Sequence, residues 1–65
     1  MSLHEYIASR ERALEDASFY ALIMAAMRQA DSGNEERLRL VFPEVWAELQ
    51  ARYNAPGGRL PEDAG

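Results

Sequence analysis

Between Phe19 and Met27 nine consecutive residues carry no charge, no Gly and no Pro. Wound as a helix, Phe19, Ile23 and Ala26 share one side, Tyr20, Met24 and Met27 a second, and Leu22 and Ala25 most of the remainder. A helix that is apolar all round is a buried one. At about 1.5 Å per residue the run spans about 13 Å, far short of the roughly 20 apolar residues that cross a bilayer. The pattern predicts a buried central helix, from about Ala17 to Ala30, in a small bundle.

The flanks supply its wrapping. Ser2 with Glu5 fits a capping box, and Leu3, Tyr6, Ile7, Arg10, Leu14 and Ala17 follow at helical spacing. Arg10 is the one charge in that stripe, and its stem can cover the core edge while its head stays wet. The other use of Arg10 is to pair with a partner's carboxylate. Arg12 and Asp16 are placed for a helical pair. Asp16 and Ser18 both suit an N-cap, so the chain is expected to break near Glu15–Ser18. No Gly or Pro enforces the break, and a single helix from Ser2 to Ala30 competes with it.

After Ala30, Asp31-Ser32-Gly33-Asn34 reads as a stop, with Gly33 left-handed and Asn34 capping a third helix from Glu35 to about Val41. Pro43 cannot sit in a helix interior but suits the first position of one. A fourth helix is expected from Pro43 to Tyr53, with Val45, Trp46, Leu49 and Tyr53 facing in and Glu44, Glu48 and Arg52 facing out. Asn54 is expected as a left-handed cap, and Pro56 forbids continuation. Residues 54–65 hold three Gly and two Pro in twelve positions, with Leu60 the one large apolar residue. Such a stretch builds no core of its own; Leu60 either folds back or stays exposed. The expected layout is all-α: three or four short helices in a bundle over residues 1–53, then an irregular, flexible tail over 54–65.

Composition narrows the chemistry. A chain of 65 residues buries only about 60% of its surface on folding, and 48% hydrophobic residues argue for a folded core rather than disorder. There is no Cys and one His, so disulfides, thiolate sites and a His-based zinc site within one chain are excluded. Self-association remains as the aid to stability. All seven basic residues are Arg and the net charge is −4, a poor balance for duplex DNA. The N-terminus lacks the basic and apolar regions of a signal peptide, so a cytoplasmic location is expected.

Convergent reactive groups are hard to find. His4 lies near a fraying end. Pro56-Gly57-Gly58 follows a helix instead of opening one, so it is no phosphate loop. The carboxylate pairs Glu11/Glu15 and Glu44/Glu48 fall on polar faces and read as solvated surface. The expectation is no catalytic activity and no cofactor or metal. Residues Asn34 to Tyr53 have the layout of a helix-turn-helix, but the second helix offers Glu44, Glu48, Gln50 and Arg52 where a recognition helix needs basic and amide groups. Arg28, Arg37 and Arg39 are the residues for a nucleic-acid-binding alternative. The modest negative charge also leaves a nucleic-acid mimic as a minor reading. The aromatic residues Tyr6, Phe19, Tyr20, Phe42, Trp46 and Tyr53 are read first as core, with some tips at the rim.

The stretches Phe19 to Arg28, Phe42 to Trp46 and Arg52 to Gly58 resemble short helical proteins of phage and prophage gene sets. The likeness covers most of the chain and implies no activity, cofactor or catalytic residue. It favours an accessory or regulatory role exerted by binding another protein. Together these readings lead to a small protein-interaction module, self-associating as a homodimer, with Tyr20, Met24, Met27 and Trp46 as the partner-binding residues.

Overall fold

The computed structural model describes residues 2–64 and is all-α. Four helices run α1 (Leu3–Ala13), α2 (Phe19–Gln29), α3 (Ser32–Val41) and α4 (Pro43–Tyr53), followed by two 3-10 turns, Pro56–Gly58 and Pro61–Ala64. Met1 and Gly65, the outer ends of the expected segments 1–53 and 54–65, lie outside the described residues. Among the described residues no helix is long and apolar enough to cross a membrane.

Local chemistry sets the boundaries. The Ser2 hydroxyl accepts from the Glu5 N–H and donates to the Glu5 carboxylate, both at 3.2 Å, a capping box in which the acid returns to the hydroxyl instead of the backbone. Ser18 caps α2 by accepting from Ala21 N–H at 3.2 Å, so the break between α1 and α2 is present and Ser18 is the residue that uses it. Pro43 opens α4 at its first position, and Phe42 alone separates α3 from α4. Phe42 N–H donates to Leu38 O at 2.7 Å, while Phe42 O accepts from Trp46 N–H at 3.0 Å. One residue closes one helix and starts the next.

Two boundaries differ from expectation. Asp31, not Asn34, caps α3: its carboxylate accepts from Asn34 N–H at 2.8 Å. Gly33 is therefore helical, and α2 ends through an extended Ala30 (φ −68°, ψ 140°) without a left-handed residue. An acid in front of Ser-Gly-Asn outcompetes Asn as the cap because it brings a full charge to the helix N-terminus. Asn54 ends α4 in a right-handed conformation, its side-chain amide donating to Gln50 O at 2.9 Å. Among the described residues the left-handed ones are Gly57 and Gly58, which turn the tail back.

The hub of the fold is α4. It packs on α2, on α3 and on the Pro56–Gly58 turn, and α2 also touches α3. Among the described residues, no Cα of α1 comes within 8 Å of another element. Among the described residues the buried side chains are Met27 of α2 and Leu49 of α4, at 3% and 7% exposure. Ile23, Met24, Leu38, Phe42, Val45 and Trp46 surround them, half-buried. The central helix is thus not buried all round: Phe19, Tyr20 and Leu22 are exposed. Burying it fully requires a helix on each side, and α1 does not close the side it lies along.

The shape follows from that arrangement. The molecule measures 43 × 27 × 18 Å with a radius of gyration of 13.8 Å, against about 11 Å for a compact chain of this length. It exposes 5674 Å², whereas a compact monomer of its mass exposes about 4,200 Å².

Candidate interaction surface

The exposed apolar side chains fall into two groups. The first is the α1 stripe, formed by Leu3, Tyr6 and Ile7 within the helix and by Leu14 just past its end. Leu14 is 87% exposed and Leu3 73%. Sequence reasoning gave these residues to the core edge. The structure leaves them uncovered, because α1 approaches α2 through other positions. One groove between the helices is lined by Ser9, Arg12 and Ala13 of α1 with Leu22, Ala25 and Gln29 of α2. A second is lined by Glu5 with Ala26, Ala30 and Leu38. The small and polar arc of α1 faces its own body. The signal in the sequence was the five-residue link from Leu14 to Ser18, too long to force α1 into contact. Arg12 pairs with Glu15 at 2.6 Å and not with Asp16 as expected, since the helix ends at Ala13 and Asp16 is no longer one turn away.

The second group lies around the start of α2 and the α3–α4 joint. Phe19 stacks edge-on against Tyr20 (ring centroids 5.2 Å) and against Phe42 (6.2 Å). Tyr20, at 56% exposure, lines a shallow groove with Val41, Phe42, Pro43 and Val45. Leu40 and Val41 are also exposed. Edge-to-face contact holds these rings together while much of their surface stays in water.

Of the four partner-binding residues read from the sequence, Tyr20 stands open to solvent, while Met24 and Trp46 are half-buried. Met27 is the most buried residue of the core and offers no contact surface. Helical spacing placed Met27 with Tyr20 and Met24, but packing against α4 claims the end of that face first. Trp46 is covered on one side by the Arg39 guanidinium, 5.6 Å from its ring centroid, a cation–π contact. On another side it lines an open cleft with Met27, Arg28, Glu35, Leu49 and Tyr53. Tyr53, expected in the inner stripe, is exposed at the rim of that cleft. The aromatic set is therefore mostly surface.

The three arginines of the nucleic-acid alternative sit in different surroundings. Arg28 lines the Trp46 cleft beside Glu35. Arg39 lies on the Trp46 ring. Arg37 donates to Asn34 Oδ1 at 3.1 Å and lines the groove that contains Glu5. Two of the three grooves or contacts also present a carboxylate.

The C-terminal stretch is tied to α4. Arg52, which also lies 3.8 Å from Glu48, donates to Asp63 through both terminal nitrogens, at 2.6 and 3.0 Å, and to Gly58 O at 2.9 Å. Asp63 further accepts from Leu60 N–H at 2.9 Å. The Arg52 hydrogen bonds, helped by the Leu60 amide, hold the Asp63 carboxyl down at about 2. Leu60 is half-buried and lines a groove with Arg52 and Asp63.

Comparison with protein-family models, curated proteins and solved structures finds no match. The reading of function rests on the surface itself.

Proposed function

We propose that this chain is a protein-interaction module that self-associates through exposed apolar surface and has no catalytic activity of its own. One observation carries the reading: among the described residues two side chains form the buried hydrophobic core, while Leu3, Tyr6, Leu14, Phe19, Tyr20 and further large apolar residues remain exposed. Single exposed apolar residues are ordinary, but contiguous groups of them mark contact surfaces. A chain this short gains from association what its own core does not supply. We read its setting as the cytoplasm, because a small secreted domain with so little core ordinarily relies on disulfides and this chain has no Cys.

The test is absolute mass by light scattering after size exclusion, from low micromolar to near-millimolar chain. The expected result is a mass that rises to that of a dimer. A monomer mass throughout would sink the proposal.

A further inference from the structure

The orientation of α1 is the feature that the fold leaves unexplained. At 100° per residue, Leu3, Tyr6, Ile7, Arg10 and Leu14 fall within about 100° of arc. The positions that face α2 and α3 across the two grooves, Glu5, Ser9, Arg12 and Ala13, centre about a third of a turn away. An amphipathic helix in water turns its apolar stripe toward a partner, and this one turns it outward. Over the whole molecule the excess over a compact monomer is roughly 1,500 Å², shared between this stripe and the exposed group around Phe19, Tyr20, Leu40 and Val41, where a standard interface takes about 800 Å² from each side.

The spacing of Leu3, Ile7, Arg10 and Leu14 reads the same in both directions about its midpoint, 3 with 14 and 7 with 10. Laid parallel in register, two copies set Arg10 against Arg10, a like-charge contact in a drying interface. Laid antiparallel about a two-fold axis between Ala8 and Ser9, each residue i meets residue 17 − i of the other copy. Leu3 then meets Leu14, Ile7 meets Arg10 and Tyr6 meets Glu11, so the two guanidinium groups no longer oppose each other and the stem of each Arg10 lies along the other copy's Ile7. Both ends of the contact are leucine against leucine, and the pair closes as an isologous dimer.

We propose that α1 of one copy pairs antiparallel with α1 of a second copy, in the register that sets Leu3 against Leu14. This rests on the self-association proposed above and names the surface that performs it.

The absence of native Cys makes the register directly measurable. Leu3→Cys and Leu14→Cys chains, distinguishable by mass, are mixed in equal amounts and mildly oxidised. Disulfides form only where Cα atoms come within about 7 Å, so the 3–14 cross-link should dominate. A statistical mixture of 3–3, 3–14 and 14–14 products, or a dominant 3–3 product, overturns the proposal. In parallel, Leu14→Gln should keep the wild-type circular dichroism at low concentration and weaken dimerisation at least about tenfold, since each interface loses two buried leucines. If wild-type chain never dimerises, both readings fall. If it dimerises, but Leu14→Gln dimerises equally well and the cross-links are statistical, self-association stands and the α1 pairing falls.

Discussion

Helices α1 and α4 are each eleven residues long and each carries an apolar stripe, yet α4 is the hub of the fold, while among the described residues no Cα of α1 comes within 8 Å of another element. The stripe does not decide between these outcomes. The connection does. A single residue, Phe42, joins α4 to α3 and serves both helices, so α4 must lie against its neighbour. Five residues, 14–18, join α1 to α2, and a link of that length lets the helix stand beside its body without docking. Amphipathicity states that a face will be buried; the length of the link states whether the same chain has to do it.

The comparison can be broken most sharply at Leu49. Leu49→Ala removes one of the two buried core side chains, and such truncations cost about 2–5 kcal/mol. In so small a domain that is enough to abolish a cooperative thermal melt followed through the single Trp46. A near-native melt would mean that α4 is not the hub. Next in size is Asp31→Ala, which removes the cap of α3 and should cost about 1 kcal/mol, read as a lower urea midpoint with an unchanged slope.

Loosening the tail gives a smaller, pH-dependent effect. The folded Asp63 carboxyl sits near 2, below its ordinary value of 3.8. Its contribution is therefore present above about pH 4 and is lost as the pH falls through about 2. Carboxyl chemical shifts should give that midpoint, and Asp63→Asn should remove the dependence from the amide of Leu60. A midpoint near 4 would mean that the Arg52 fork does not persist in solution. The smallest effect belongs to α1: Leu3→Ala at low concentration should change the melt of the body by no more than about 0.5 kcal/mol. A loss as large as that of Leu49→Ala would show α1 packed after all and erase the contrast.

Much of the fold was legible in residue order. Pro43 gave the start of α4, and Asp16 and Ser18 marked the break before α2 without deciding which of them caps it or excluding one long helix. The miss at Asp31 came from treating Gly33 as a stop, when a glycine inside the first turn is tolerated once an acid caps it. The placement of Met27 and Tyr53 was out of reach for a different reason: both lie on apolar arcs, and which part of an arc is covered depends on the crossing of α2 over α4. Of the candidate surface, the sequence pointed to Tyr20, Met24, Met27 and Trp46, and only Tyr20 is exposed; the stripe from Leu3 to Leu14 was plain as a pattern but was assigned to the core edge, and its outward orientation is a property of the link and of the whole molecule.

The detached placement of α1 has a consequence for when it folds. An isolated helix of eleven residues is marginal in water, because the cost of its first turn is recovered over too few others. With no Cα within 8 Å of another element among the described residues, α1 should exchange its amide protons with solvent faster than α4 does in the same molecule. Any partner that covers its stripe would act as the scaffold for its ordering, and under the self-association proposed above helicity would become a readout of concentration.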